Sequence, residues 1–126
     1  MTKPLLLIVD DEPDIARFVG DVAESIGFEV LIAGNAIEFQ QHYINQELTG
    51  IVMDIVLPEI DGIELINWLA ENNSHASIIF MSGYDTLYID TAKNLGVRKG
   101  LQVLGTLSKP FTVEELEPLL KRIINF

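Results

Sequence analysis

Residues with acid, hydroxyl or ammonium groups follow four of the five short apolar segments in this sequence. They are Asp10, Asp11 and Glu12 after the first segment, Asp54 after the third, Ser82 after the fourth and Lys109 after the fifth. In open parallel sheets, sites form outside the carboxyl ends of the strands. If the apolar segments are parallel strands, these groups therefore meet at one edge of the sheet.

A cluster of this kind has a defined chemistry. Two carboxylates a few ångströms apart repel each other by roughly 4 kcal/mol at an effective dielectric constant near 20, so several of them need protons or a bound cation. Magnesium suits such a site because it takes oxygen ligands and keeps several waters. A phosphoryl group on Asp54 would be neutralised by the metal and Lys109 and hydrogen-bonded by Ser82. The residues thus predict phosphoryl transfer to a carboxylate nucleophile.

The apolar segments that would position these groups resemble strands buried on both faces. They lie at residues 5–9, 28–33, 51–53 and 77–81, with a weaker fifth at residues 101–104 and 106–107. Short apolar runs of this length are typical of the strands of a parallel sheet.

Helix signals alternate with these segments. The predicted starts are Pro13, Asn35, Asp61 with Gly62, Asp85 or Thr86, and the capping-box pair Thr112 and Glu115. The residues predicted to face inward are Ile15, Val19, Val22, Ile26, Ile37, Ile44, Leu48, Ile63, Ile66, Leu69, Tyr88, Ala92, Leu95, Leu116, Leu120 and Ile123. Gly27 ends the first helix, Gly96 and Gly100 are alternative ends of the fourth, and Pro118 predicts a local bend in the fifth.

The order of elements is strand then helix, repeated five times. This order implies an α/β fold with a parallel sheet and helices on both faces. A chain of 126 residues is long enough for one domain and too short for two. No linker or low-complexity stretch interrupts it, so we expect residues 1–126 to form a single domain.

Composition excludes several classes of protein. The net charge of −11 disfavours direct binding to nucleic acid or to an anionic membrane surface. The absence of cysteine excludes disulfides and thiolate zinc sites. The apolar run near the N-terminus has only five residues, too few for a signal peptide or a membrane span. We therefore expect a cytoplasmic protein.

The ordered set of motifs resembles the receiver domain of response regulators in two-component signalling, over essentially the whole chain. The motifs are Val9-Asp10-Asp11-Glu12, the stretch from Asp54 to Gly62, Ser82-Gly83 and Lys109-Pro110-Phe111. Each motif alone is weak evidence, whereas the set in this order is specific. The resemblance implies a flavodoxin-like (βα)5 fold with strand order 2-1-3-4-5.

The resemblance also implies a role for each acid. Asp54 would be the phosphoacceptor. Asp11 and Asp54 would bind Mg²⁺ or Mn²⁺ directly, together with the backbone carbonyl of Val56. Asp10 would act through a metal-bound water.

Further roles follow from the same resemblance. Ser82 and Lys109 would hold the phosphoryl oxygens, and Pro110 is a candidate cis-proline. The donor would be a phosphohistidine on a sensor histidine kinase or a phosphotransfer protein, and a small phosphodonor such as acetyl phosphate would substitute for it. An effector domain in a longer parent chain and a homodimer are both compatible with the family, in which output usually runs through the fourth helix, fifth strand and fifth helix.

The sequence departs from the family pattern at Thr106. Most receivers carry Tyr, Phe or His three residues before the lysine, where the side chain turns inward on activation. Coupling of phosphorylation to the output face is therefore in question. The stretch from Ser82 to Lys109 is also longer than usual, and residues 104–111 resemble receivers joined to EAL-type cyclic-di-GMP phosphodiesterase domains.

Two residues that flank the predicted site bear on the lifetime of a phosphoryl group. Val56 and Tyr84 lie two positions beyond Asp54 and Ser82. An apolar and an aromatic side chain there would hinder attacking water, so we predict a long-lived phosphoryl state. A measured half-life of seconds would contradict this.

Two other functional hypotheses compete with the receiver interpretation. An aspartate-nucleophile phosphohydrolase would use Asp10 and Glu12, although no cap or substrate pocket is evident. A receiver-fold scaffold that docks a partner without phosphate is kept open by Thr106. Separately, the basic cluster of Lys93, Arg98 and Lys99 is a candidate docking patch for an acidic partner.

Overall fold

The structure, a computed structural model, describes residues 3–83 and 86–125. The strands are β1 (Leu5–Val9), β2 (Glu29–Ala33), β3 (Gly50–Asp54), β4 (Ser77–Ser82) and β5 (Gln102–Ser108). The helices are α1 (Pro13–Ile26), α2 (Ala36–Asn45), α3 (Gly62–Glu71), α4 (Thr86–Arg98) and α5 (Val113–Asn125). Tyr84 and Asp85 lie outside the described residues, and so do the predictions made for them.

The strands form one parallel sheet in the order β2-β1-β3-β4-β5. This confirms both the α/β class predicted from the alternation of elements and the strand order implied by the family resemblance. Every residue of β3 and β4 is buried, because helices cover both faces of the sheet.

Each face of the sheet carries its own apolar layer. Helices α2, α3 and α4 cover one face, with Phe39, Leu65 and Ala92 in its core. Helices α1 and α5 cover the other face, with Val19 and Leu120 in its core. The residues predicted to face inward from α1, α3, α4 and α5 all pack in one of these two layers.

Several helix ends follow their sequence signals. Gly27 ends α1 with a φ of 118°, a left-handed conformation that glycine adopts without strain. Asn35 and Asp61 cap α2 and α3, each accepting a backbone N–H bond of 2.9 Å. Thr112 and Glu115 form the predicted reciprocal capping box, with bonds of 3.1 and 3.2 Å.

The two candidate glycines for the end of α4 have different roles. Gly100 follows the helix with a φ of 87°. Gly96 lies inside the helix, where an added Cβ would be 3.0 Å from the Val103 side chain. Gly96 therefore allows close packing of α4 on β5, and Gly100 begins the exit from the helix. Pro118 lies inside α5, and the bend expected there stays a prediction.

The prediction that β2 is buried on both faces is wrong. Strand β2 is the edge of the sheet beside β1, and Glu29 is exposed while Ile32 is 47% exposed. An apolar run does not reveal whether a strand lies at the centre or the edge of a sheet, because that depends on strand order.

The predicted inward face of α2 is wrong at two of its three residues. Ile37 and Ile44 are 67% and 71% exposed, whereas Leu48, which lies beyond the end of the helix, packs against the core. The helix instead turns Phe39 and Tyr43 toward Trp68 of α3, with ring centroids 5.8 and 5.0 Å from the Trp68 ring. Aromatic side chains bury more area than isoleucine and pack edge to face, which explains the rotation of the helix.

Strand β5 contains a bulge that the sequence did not reveal. The residues on either side of Leu104 pair with consecutive residues of β4, so Leu104 is an extra residue on β5. Arg122 of α5 donates a 2.8 Å hydrogen bond to the Leu104 carbonyl. The bulge is thus tied to α5.

Among the helices that the structure describes, none is long and apolar enough to cross a membrane.

Candidate functional site

Four strand ends bring polar side chains to one edge of the sheet. Asp54 and Ser82 are the last residues of β3 and β4, while Asp10 and Lys109 directly follow β1 and β5. Asp10, Asp54 and Ser82 are 1%, 3% and 0% exposed. Buried polar groups at this density require partners, and their contacts define the site.

Lys109 lies at the centre of the acidic groups. Its Nζ atom is 2.7 Å from Asp54 Oδ2, 2.8 Å from Asp10 Oδ2 and 3.1 Å from Glu12 Oε1. Lys109 donates hydrogen bonds to Asp54 and Glu12. Although Asp10 Oδ2 is just as close, it has no aligned hydrogen-bond donor among the described residues. We treat the Asp10 contact as an ion pair, because charge attraction depends on distance and not on alignment.

Backbone N–H groups hold the other oxygen of each buried carboxylate. Val56 N–H donates to Asp54 Oδ1 at 2.8 Å, and Glu12 N–H donates to Asp10 Oδ1 at 2.9 Å. In each case the donor is two residues beyond the aspartate, an arrangement that aspartate readily forms at turns. Each carboxylate is therefore fixed by its own loop and presents its second oxygen to Lys109.

Burial and charge shift the ionisation of these groups in a consistent way. Burial raises the pKa of Asp10, and the nearby Lys109 only partly offsets it. Burial alone would lower the pKa of Lys109, but the close contacts with the carboxylates of Asp10 and Asp54 and their negative charge outweigh it and raise that pKa. Lys109 therefore stays protonated, whereas burial disfavours the charged form of Asp10 more than Lys109 stabilises it.

The acidic groups also fit a divalent cation. Carboxylate oxygens of Asp10, Asp11, Glu12 and Asp54 all lie within 4.8 Å of one another. These four acids face one ammonium group, and the buried Asp10 Oδ2 has no hydrogen bond within the part of the chain described. An all-oxygen donor set with excess negative charge suits Mg²⁺ or Mn²⁺.

The remaining predicted site residues occupy different positions. The Ser82 carbonyl accepts a 2.8 Å bond from the Lys109 N–H, which ties the ends of β4 and β5 together. The Lys109–Pro110 peptide bond is cis. Thr106 lies within β5 and pairs with the fully buried Phe80.

Sequence reasoning missed two contacts near the site. Glu12 was given no role in the predicted receiver site, and the structure pairs it with Lys109. Tyr88 was predicted only to face inward, yet its hydroxyl donates a 2.8 Å hydrogen bond to Asp61 Oδ1. The first pair is 97 positions apart and the second 27, so no local pattern signals either one.

A doubly wound parallel sheet with clustered acids and a lysine at its carboxyl edge defines a class of α/β domain with its site at the strand ends. Within that class, the family described as "Response regulator receiver domain" matches residues 6–121. The chain belongs to this family, whose members act as signalling switches in two-component systems.

Relatives of known name support the assignment. Nodulation protein W of Bradyrhizobium diazoefficiens is 32% identical over 91% of this chain and 48% of its own length. Response regulator Rre1 of a Synechocystis strain is 31% identical over 98% of this chain and 53% of its own length. The chain thus spans about half of these relatives. It spans 96% of sporulation initiation phosphotransferase F of Bacillus subtilis, at 25% identity over 98% of this chain.

Similar solved structures agree with the family assignment. A response regulator from Colwellia psychrerythraea is 30% identical, with a TM-score of 0.79 and 98% of both chains covered. A response regulator from Burkholderia pseudomallei, solved with a phosphorylated aspartic acid, a calcium ion and citrate, is 25% identical, with a TM-score of 0.77 over 93% of this chain and 66% of that one.

Proposed function

We propose that residues 1–126 form one receiver domain that accepts a phosphoryl group on Asp54. The observation that carries this proposal is the position of Lys109 Nζ, 2.7 Å from Asp54 Oδ2 and 2.8 Å from Asp10 Oδ2. A cation held at the oxygen of a buried carboxylate is placed to neutralise charge that develops on a transferred phosphoryl group.

A divalent cation completes the proposed site. Asp11 and Asp54 would hold Mg²⁺ or Mn²⁺ directly with the backbone carbonyl of Val56, and Asp10 would hold it through a water. When bound, the metal supplies positive charge to the phosphoryl oxygens. The excess of acids over ammonium groups at the carboxyl edge supports this assignment.

The chain's own residues orient the acceptor. Val56 N–H fixes the plane of the Asp54 carboxylate. One oxygen of that carboxylate forms a bond to phosphorus as the donor's phosphorus–nitrogen bond breaks, and the donor imidazole takes up one proton as it leaves. Lys109 then pairs with the phosphoryl oxygens, and the Ser82 hydroxyl donates to one of them. In the relative from Burkholderia pseudomallei the aspartic acid is phosphorylated, which supports the same chemistry here.

The donor is a phosphohistidine on a histidine kinase or a phosphotransfer protein, with acetyl phosphate as a small substitute. An apolar pocket of about 180 Å³ beside Lys109 gives such a protein a place to dock. Phe18 and Phe111 line it, with ring centroids 6.0 Å apart. Because the pocket adjoins the acceptor site, a docked helix would present its phosphohistidine to Asp54. We infer a cytoplasmic location, where such donors act.

Output would run through the face formed by α4, β5 and α5, which would also be the surface of a homodimer or of a contact with an effector domain. Lys93, Arg98 and Lys99 are all exposed on this side and stay a predicted patch for an acidic partner. Replacing all three by glutamine with no change in partner affinity would remove that prediction.

A second candidate function is a scaffold that docks a partner without phosphate. Thr106 favours it, because this side chain cannot fill the space that an aromatic would. Asp54→Ala separates the two functions: a scaffold keeps its partner and its cellular effect in this variant, whereas a phosphoacceptor switch loses the response to its donor.

Intact-protein mass tests the proposed function. Parent protein incubated with Mg²⁺ and acetyl phosphate is expected to gain one phosphoryl group. The gain should be absent in Asp54→Ala and without Mg²⁺. If the parent gains nothing from acetyl phosphate or from a phosphohistidine donor, the scaffold function replaces the switch.

A further inference from the structure

The segment that follows Asp54 is a tightly folded loop, residues 55–61, which we call the acceptor loop. Its Val56 N–H holds the Asp54 carboxylate at 2.8 Å. The loop closes on itself through an antiparallel bridge between Val56 and Asp61 and through a 3.1 Å bond from Gly62 N–H to the Ile55 carbonyl. These contacts connect Asp61 to Val56, and Val56 to the acceptor carboxylate.

Asp61 is the point where the acceptor loop meets two helices. Its Oδ1 atom accepts one bond of 2.9 Å from Ile63 N–H in α3 and one of 2.8 Å from the Tyr88 hydroxyl in α4. These two donors lower the pKa of Asp61. Burial and the bond to Asp61 raise the pKa of Tyr88 to about 12. At neutral pH the contact is thus a phenol donating to a carboxylate, a stronger type of hydrogen bond than a neutral pair.

One side of the acceptor loop borders a pocket. This pocket, of about 550 Å³, is lined by the acceptor loop together with Glu64 and Tyr88. Ile55 and Leu57 anchor the loop in the core, whereas the side of the loop that faces the pocket lacks packing atoms. Of the hydrogen bonds found among the described residues, the Tyr88–Asp61 bond is the one that joins α4 to this loop.

We propose that Tyr88 is a positioning residue for phosphoryl transfer, tying α4 to the acceptor loop through its hydrogen bond to Asp61. The proposal rests on the proposed function of Asp54. It gives this chain a route from the acceptor to α4 that does not use position 106, where a threonine stands. Because coupling between two sites is reciprocal, a contact that restrains α4 also sets how the acceptor carboxylate is held.

The test compares Tyr88→Phe with Tyr43→Phe. Each change removes one hydroxyl, but the Tyr43 hydroxyl bonds the Asn72 carbonyl at 3.3 Å, at the opposite end of α3. Two quantities are measured: amide hydrogen exchange at Val56 and Gly62, and the rate of phosphoryl gain from acetyl phosphate with Mg²⁺. Tyr88→Phe is expected to speed exchange and slow phosphoryl gain, each about fivefold, the low end of ordinary coupling between sites. Tyr43→Phe is expected to change neither.

A conservative variant separates positioning from a general structural effect. Asp61→Asn keeps an oxygen that accepts from both Ile63 and Tyr88, so its exchange at Val56 and Gly62 should stay within about twofold of the parent, since a neutral acceptor weakens a bond without removing it. Exchange as fast as in Tyr88→Phe would overturn the proposal.

Two further results would overturn it as well. They are unchanged exchange in Tyr88→Phe, and faster exchange with an unchanged rate of phosphoryl gain. Failure of the proposed function looks different: the parent itself gains no phosphoryl group, while exchange at Val56 and Gly62 still reports whether Tyr88 holds the loop.

Discussion

Two regions of this sheet are held in different ways. The charge site, made of Asp10, Glu12, Asp54 and Lys109, is fixed by short contacts, and each aspartate has one oxygen bonded to its own backbone. The α4–β5 region, residues 86–108, has a bulge in β5 and carries the exposed apolar residues Leu87 and Val97 on α4, at 75% and 53% exposure. The site at the strand ends is thus held by several short polar contacts, whereas α4 leaves large apolar side chains exposed.

The largest expected effect concerns Lys109, compared with a lysine in an exposed ion pair. Lys109→Met leaves Asp10 and Asp54 buried without their cation, so the free energy of unfolding should fall by roughly 3 kcal/mol in the absence of Mg²⁺. Urea unfolding measures this loss. Lys121 is the control, because its 2.9 Å pair with Glu117 is exposed, and Lys121→Met should cost about 0.5 kcal/mol or less. Equal losses would show that the charge site is no more tightly held than the surface.

Two glycine-to-alanine changes test how well the backbone at each position tolerates an added Cβ atom. A Cβ at Gly62, at the end of the acceptor loop, would lie 2.3 Å from the Ile55 carbonyl oxygen, which cannot move alone. At Gly105 of β5, the nearest atom is a terminal carbon of Leu119 at 2.7 Å, which can rotate away. Gly62→Ala should therefore cost roughly 3 kcal/mol and Gly105→Ala about 1 kcal/mol. The reverse order in denaturant unfolding would contradict the contrast between the regions.

Mg²⁺ should stabilise the folded protein only through Asp11 and the neighbouring acids of the charge site. At a free concentration tenfold above its dissociation constant, Mg²⁺ is expected to add about 1.4 kcal/mol to the free energy of unfolding. Asp11→Asn should lose most of this gain. Glu114→Gln, an exposed acid at the start of α5, should keep it. A gain of the same size in both variants would indicate non-specific binding to an acidic protein.

The smallest expected effect is a pH dependence of stability from Asp10. Because burial raises the pKa of Asp10 in the folded state, its carboxyl favours folding most below its unfolded pKa of about 3.9. That contribution is lost as the pH rises through the folded pKa. Without Mg²⁺, Asp10→Asn should therefore become more stable relative to the parent between pH 4 and pH 7, as measured by urea unfolding at each pH.

Lys109 does not disturb this comparison. Its pKa is raised in the folded state, so the stability it contributes is fully present below its unfolded pKa of about 10.4 and constant across this range. A stability difference that shrinks with rising pH would contradict the account of Asp10. Added Mg²⁺ should reverse the sign, because only the parent binds the ion through a carboxylate at this position.

The sequence predicted the strand ends well and the helix faces less evenly. Polar residues after apolar runs are a local pattern, so the positions of Asp54 and Lys109 followed from the sequence. The inward face of α2 did not, because Ile37 and Ile44 have the same helical spacing as a buried stripe and only contact with Trp68 selects Phe39 and Tyr43.

Features that depend on contacts between distant parts of the chain could not be predicted from the local sequence pattern. The bulge at Leu104 exists only relative to β4, whereas the edge position of β2 followed from the strand order implied by the family resemblance and not from its own apolar run. The Tyr88–Asp61 bond joins α4 to the acceptor loop, two segments whose packing the sequence leaves open. Such contacts are long-range and carry no periodic signal.

The central claim is that Asp54 takes the phosphoryl group. Parent protein incubated with acetyl phosphate and Mg²⁺ is reduced with borohydride, which converts an aspartyl phosphate to homoserine, and its peptides are mapped by mass. The account predicts homoserine at position 54 and at no other acidic position. Homoserine at Asp10 or Asp11, or a phosphoserine at Ser82 with position 54 unchanged, would contradict it.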